Sequence, residues 1–382
     1  MTAKIPKHWK IKKLGEIGVF FKGKGVPKNK ITDTGFKCLT YGDLYTKYDF
    51  VIEGVKSFID KETALISQEI RYGDICFAGS GETLEDIGKC ATFIDDEIGY
   101  AGGDVIVFRT EQNPIVMSYL LNSDIAKKQK FSMGQGHSVV HIYSSQLEML
   151  KLPIPPLEEQ KKIAEILLNC DKAIRLTTQI ITQLKQRNQG LAQQLLTGEK
   201  KIKGFENSIW KKVRLGEIGE VYQPETISQS LLTEKGFKVY GANGVIGYYS
   251  RYNHENEQIA VVCRGSTCGL VNFTEAKSWI TGNAMVINLD GNPNYSKLFV
   301  YEYLKNDNLN YLITGSGQPQ ITSEIKKHII KVPSLKEQNA IAQIFDTAHQ
   351  ELKLYEQKLQ LLQAQKKTLM QKLLTGEVLT IK

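Results

Sequence analysis

Trp9-Lys-Ile-Lys-Lys-Leu14-Gly15-Glu16-Ile17-Gly18 returns, 201 residues later, as Trp210-Lys-Lys-Val-Arg-Leu215-Gly216-Glu217-Ile218-Gly219. Gly35-Phe36-Lys37 keeps the same offset to Gly236-Phe237-Lys238. Pro155-Pro156-Leu157-Glu158-Glu159-Gln160 answers Pro333-Ser334-Leu335-Lys336-Glu337-Gln338, and Gln194-Leu195-Leu196-Thr197-Gly198-Glu199 answers Lys372-Leu373-Leu374-Thr375-Gly376-Glu377, both at an offset of 178. The offsets differ, so the second copy is shorter by about 23 residues between its shared start and its shared end. Solenoid repeats are far shorter, at ~20–45 residues. Constant flanks around a divergent, resizable middle read as tandem duplication of a variable domain on a fixed frame.

The frame is helical. Segments from about 157 to 197 and 335 to 375 lack Gly and Pro except for Gly190. Pro155-Pro156 and Pro333 stand before them and Gly198 and Gly376 after them, the punctuation of helix ends. Apolar residues recur at alternating spacings of three and four. The first seam is Leu167, Cys170, Ile174, Thr177, Ile181, Leu184, Asn188, Leu191 and Leu195. The second is Phe345, Ala348, Leu352, Tyr355, Leu359, Leu362, Lys366, Leu369 and Leu373. Asn188 and Lys366 are polar at matching positions, where they either fix register or mark local fraying. Antiparallel pairing of two such helices, ~40 residues and roughly 60 Å long, would hold two domains about one DNA turn apart.

The chain thus divides into a first variable domain (1–155), a first long helix (156–200), a second variable domain (201–333) and a second long helix with a tail (334–382). Short β-rich runs bounded by Gly, Asn and Ser fill the variable domains, among them Ile75-Cys-Phe, Asp104-Val-Ile-Val-Phe-Arg109, Ile259-Ala-Val-Val-Cys263 and Ala284-Met-Val-Ile-Asn288. Helices are expected at about 114–129 and 295–306. The fold class is α+β: two homologous domains and an antiparallel coiled coil with pseudo-two-fold repetition.

Several polar, glycine-rich loops suit contact with a nucleic acid. Lys22, Lys24 and Lys28 form a basic loop for phosphates. Ser80, Gln135 and His137 in the first domain, and Asn243, Arg264, Ser266, Gln318 and Gln320 in the second, carry the donors and acceptors that read base edges. Glycine beside them lets backbone approach a duplex closely. A net charge of +8 is compatible with such a partner without demanding it.

Other chemistry is poorly represented. Six cysteines include no C-x-x-C pair, so free thiols in a reducing cytosol are expected. No run approaches the ~18 apolar residues of a spanning helix, and the amino-terminal residues lack a signal-peptide core. Phe21-Lys-Gly23-Lys-Gly25 has the form of a methyltransferase cofactor loop. Its repeat counterpart is Val221-Tyr-Gln-Pro-Glu225, however, and Asn292-Pro293-Asn294-Tyr295 is a poor catalytic match. Gly79-Ser-Gly81 and Gly88-Lys89-Cys90 miss the spacing of a phosphate loop. His137 and His141 lack the glutamate of a zinc motif. No cofactor or metal is expected. The competing readings are a coiled-coil adaptor for proteins and a standalone methyltransferase.

The two Trp-x4-Leu-Gly-Glu-Ile starts, Gly73-Asp74-Ile75 through Gly79-Ser80-Gly81, the Ile154-Pro-Pro-Leu-Glu-Glu-Gln160 entry and the Leu-Leu-Thr-Gly-Glu exits together resemble the specificity subunits of Type I restriction–modification enzymes. The resemblance spans nearly the whole chain. It implies a cytoplasmic, non-catalytic protein with two target-recognition domains, each reading one half of a bipartite double-stranded DNA site. It also implies two long helices that set the spacing and dock modification (methyltransferase) subunits, two of them, with restriction/translocase subunits joining the full complex. The second copy departs at Ser334 and at Glu257-Gln258-Ile259, where the first has Pro156 and Gly73-Asp74-Ile75.

Overall fold

The computed structural model describes residues 5–136, 139–315 and 317–380; His137 lies outside them. The chain forms two compact units, residues 1–176 with 359–382, and residues 177–358. Each is α+β. The first contains a five-stranded sheet in the order Gly18–Lys22, Val105–Thr110, Ile75–Ala78, Cys90–Phe93, Val51–Ile52. The second keeps four of these places with Glu220–Tyr222, Ala284–Asn288, Ile259–Val262 and Val271–Phe273. Ile75-Cys-Phe-Ala and Ile259-Ala-Val-Val are buried at every residue, so they read as continuous apolar runs rather than alternating ones.

A second sheet follows in each unit, five-stranded in the first and three-stranded in the second, and there the copies diverge. The first unit inserts helices Tyr41–Thr46 and Lys61–Ile66 and three short strands after Phe36–Leu39. The second goes directly into a hairpin, Phe237–Gly241 with Gly244–Tyr249. Most of its missing residues are accounted for by this exchange.

The helix expected over 114–129 is two helices, Pro114–Leu121 and Asp124–Met133. No Gly or Pro marks the break. The Asn122 side chain accepts from Cys90 N (3.2 Å) and donates to Cys90 O (2.7 Å), so a strand-end contact overrides local helix preference. The counterpart in the second unit is Lys297–Asn306.

The long helices are Leu157–Leu196 and Leu335–Thr375, closed by Gly198 at φ 74° and Gly376 at φ 71°. Those left-handed conformations suit glycine as a helix stop. Segments of both helices pair within each unit. Leu167, Ile181, Leu184, Leu195, Phe345 and Leu373 are buried; Ile174, Leu191, Leu352, Tyr355, Leu359, Leu362 and Leu369 are half-buried. Leu354 and Leu361, off the seam, are 65% and 64% exposed. Lys185 with Glu356 (3.0 Å) and Arg187 with Glu351 (2.8 Å) show the antiparallel direction in the second unit.

Neither polar seam residue marks fraying. In the first unit Lys366 pairs with Asp171 and lies over the rings of Phe50 (4.4 Å) and Tyr119 (5.3 Å). In the second, Asn188 Nδ2 donates to Ala348 O at 3.4 Å.

The repeated sequence words form one clasp per unit. Trp9 Nε1 donates to Glu159 Oε2 (2.8 Å), and Trp210 Nε1 to Glu337 Oε1 (3.1 Å). The glycine that ends the other repeat's long helix packs under each indole: Gly376 against Trp9, Gly198 against Trp210. The next residue does a second job. Gln160 Oε1 accepts from Asn113 N (2.7 Å), and Gln338 Oε1 from Ser296 N (2.9 Å), at the caps of the two short helices. Their amides donate to Pro155 O (2.8 Å) and Pro333 O (2.9 Å). Gln160→Leu strips these partners, and Gln112 Oε1 which also accepts from the Gln160 amide (2.8 Å), in a fully buried place and is expected to cost about 1–3 kcal/mol. An unchanged denaturation midpoint would refute that role.

Candidate nucleic-acid interface

Ser80 and Arg264 lie just past the ends of the Ile75–Ala78 and Ile259–Val262 strands, where the backbone is tied in the same way in both units. In the first, Gly79 N donates to Asp104 O (2.8 Å), Ile142 N to Gly79 O (3.0 Å), and Gln135 and His141 exchange two bonds (2.9 and 2.7 Å). In the second, Cys263 N donates to Asn283 O (2.9 Å), Ile321 N to Cys263 O (3.0 Å), and Thr314 and Gln320 exchange two bonds (2.9 Å each). Ser80 pairs across with His141 and Arg264 with Gln320. Position by position, Ser80, Gln135 and His141 therefore correspond to Arg264, Thr314 and Gln320.

The same loop frame carries different chemistry. Ser80 is 3% exposed and its Oγ lies 3.0 Å from His141 Nδ1, so its hydroxyl is engaged inside the loop. Arg264 is exposed and makes no ion pair among the described residues. Gln135, Asn243, Ser266, Gln318 and Gln320 are exposed as well. Thr267, at the end of the polar Arg264-Gly265-Ser266-Thr267 stretch, ties two of these loops together: its hydroxyl donates to Ala242 O (2.9 Å) and reaches Asn243 Oδ1 (3.4 Å).

The basic loop belongs to the first unit alone. Gly23 N donates to Val105 O (2.7 Å) and Lys24 N to Ala101 O (2.9 Å), which docks the loop on the turn that also holds Gly79. A Cβ on Gly23 would meet Gly102 O at 1.9 Å, so glycine is required by the close approach. Lys22, Lys24 and Lys28 are exposed and form no ion pair among the described residues, whereas Lys37, Lys47 and Lys89 are each matched to an aspartate. Unmatched ammonium groups are the ones free to displace counterions from phosphates. Lys28 borders a cavity of about 380 Å³ with Thr40, Tyr41 and Asp104. Beside Gly81 and Val139 lies a cleft of about 750 Å³ lined by Tyr41, Tyr45, Glu82 and Asp86.

Behind each interface, a polar contact joins the short helix to a long one. Tyr119 donates to Asp171 in the first unit. The corresponding pair in the second is Glu302 and His349, with Oε1 and Nδ1 3.5 Å apart. Glu302 is 1% exposed, and burial pushes its carboxyl up to about 7. His349 is lowered by burial and by nearby Lys305.

Among the described residues no group of His, Cys, Asp and Glu could hold a metal ion, and no helix is long and apolar enough to cross a membrane.

Residues 6–186 and 207–364 each match the family described as the Type I restriction modification DNA specificity domain. The putative type I restriction enzyme MjaX specificity subunit of Methanocaldococcus jannaschii is 26% identical, covering 98% of this chain and 94% of that protein. The EcoKI specificity subunit of Escherichia coli is 24% identical over 74% of this chain and 69% of its own length. The crystal structure of a Type I restriction–modification S subunit from M. genitalium shares the fold, with a TM-score of 0.69 and 18% identity over 98% of this chain and 99% of that one.

Proposed function

The chain belongs to the type I restriction–modification DNA specificity family, and we propose from that premise that each unit reads one half of a bipartite double-stranded DNA site. The paired long helices set the number of base pairs between the halves and dock modification subunits, two per chain, with restriction/translocase subunits joining the larger complex. Methyl transfer and cleavage belong to those partners, and the assembly works in the cytoplasm. Lys22, Lys24 and Lys28 hold phosphates, and Gln135, Asn243, Arg264, Ser266, Gln318 and Gln320 supply base contacts. The observation that carries this reading is the duplicated loop frame: equivalent backbone bonds hold different polar side chains in the two units, Ser80, Gln135 and His141 in one and Arg264, Thr314 and Gln320 in the other. Such an arrangement keeps geometry fixed while letting the two half-sites differ.

The reading is tested on the ruler. Inserting one heptad at matched positions of both long helices adds about 10 Å, or roughly three base pairs at ~3.4 Å each. Modified-base sequencing of DNA from cells carrying the lengthened chain and its partner subunits should show a spacer longer by that amount. An unchanged spacer would sink the ruler.

A further inference from the structure

We propose that Arg264 reads a guanine in the half-site of the second unit, with Gln320 on the same or the neighbouring base pair, and that the first unit makes no equivalent guanine contact. This rests on the DNA-reading function proposed above and goes one step further, to the identity of a base.

Ser80 and Arg264 are equivalent residues of the two units. Both lie at the same place on the same hydrogen-bonded loop frame. In the first unit the place is closed: Ser80 is buried and faces His141. In the second it is open, because Gln320 replaces the histidine and the guanidinium extends from an exposed residue. Cys263 and Ile321 stay buried beneath it, so the frame under Arg264 is as firmly packed as that under Ser80. Arg264 thus combines a fixed backbone with a planar fork of donors that has no ion pair among the described residues. Such a fork matches the O6 and N7 acceptors that guanine alone presents in the major groove.

Neighbouring residues fit the same groove. Arg264 and Gln320 are antiparallel bridge partners, which sets their Cα atoms about 4.5–5.5 Å apart. That separation is comparable to the ~3.4 Å rise of a base pair, so side chains from the two meet the same or adjacent pairs. Thr267 tethers the turn of the Phe237–Gly241 and Gly244–Tyr249 hairpin to this loop through Ala242 and Asn243. A two-stranded ribbon is narrow enough to enter a major groove. Val245 and Ile246, 44% and 42% exposed just past that turn, offer apolar contact to thymine methyl groups.

The experiment uses the full complex with its modification subunits and maps methylated sites in a randomised DNA library for wild type, Arg264→Ala and Arg264→Gln. Arg264→Ala should lower discrimination at one G·C position of one half-site by about 10- to 100-fold and leave the other half unchanged. Arg264→Gln should shift preference at that position towards adenine, the base a glutamine amide matches. Thermal melts of each variant establish that the second unit is folded. A uniform loss at all sequences, with a salt dependence reduced by about one phosphate as in a Lys28→Ala control, would make Arg264 a backbone contact and overturn the proposal. Unchanged specificity in a folded Arg264→Ala variant would also overturn it. If the wild-type complex shows no bipartite motif at all, the underlying functional reading fails instead.

Discussion

Arg109→Ala is expected to destabilise the first unit by about 3–5 kcal/mol, the cost of stranding a buried charge. The charge is Asp74, 1% exposed, within the Gly73-Asp74-Ile75 signature. Its carboxylate accepts from Arg71 N (2.9 Å) and from Arg109 Nε and Nη2 (2.7 Å each). The guanidinium also lies over Phe21 at 4.8 Å. Removing the arginine withdraws two charge-assisted bonds while the acid remains out of water. Replacing both partners together, as in Asp74→Leu with Arg109→Met, should restore most of the loss, since no charge is then stranded. Denaturant titration checks this. A double variant less stable than Arg109→Ala would refute the burial argument. The second unit explains why its sequence departs here: Gln258 occupies the place of Asp74 and donates to Asp290 (2.8 Å), which also pairs with Lys297. The carboxylate has changed sides of the contact, so the signature is lost while the function of the contact is kept.

Glu302→Gln should stabilise the second unit by about 3 kcal/mol at pH 8 and have little effect near pH 4. The folded carboxyl titrates at about 7 against 4.5 for an ordinary glutamate. Below about 4.5 it is protonated in both states and contributes no pH dependence. Between 4.5 and 7 the unfolded chain releases the proton while the folded chain retains it, so stability falls as pH rises. Above 7 the full cost is present. His349, lowered by burial and by Lys305, is neutral over the upper part of that window and offers no compensating charge. Thermal melts from pH 4 to 8 should show this decline in the wild type and lose that component in the variant. A Glu302→Gln chain no more stable than wild type at pH 8 would refute the assignment.

The frame was legible because its signals are local and occur twice. Heptads, proline and glycine punctuation and the two Trp-x4-Leu-Gly starts each report structure within a few residues of themselves. Why glutamine follows glutamate in the Pro-Leu-x-Glu-Gln word was not legible, since Gln160 and Gln338 act on backbone groups of Asn113 and Ser296, some forty residues earlier in sequence. Arg264 and Gln320 could be named as polar loop residues, but only strand pairing brings them together. Ser80, grouped with them by its glycine-rich setting, turns inward because His141 arrives from a distant strand. Insertions of unequal length hide these equivalences from any single offset. The break at Asn122 has no local signal for a related reason: its cause is the strand at Cys90, not a local breaker.

The make-up of the two units has a consequence for the order in which a nascent chain can fold. The second unit is one continuous stretch, 177–358, and its core needs nothing later. The first includes Leu373 and Leu374 in its core and seats Trp9 against Gly376. The domain synthesised first is therefore the one completed last, holding an unfinished apolar surface until the final helix leaves the ribosome. A premature stop after the second unit would spare the later-made domain and unfold the earlier one.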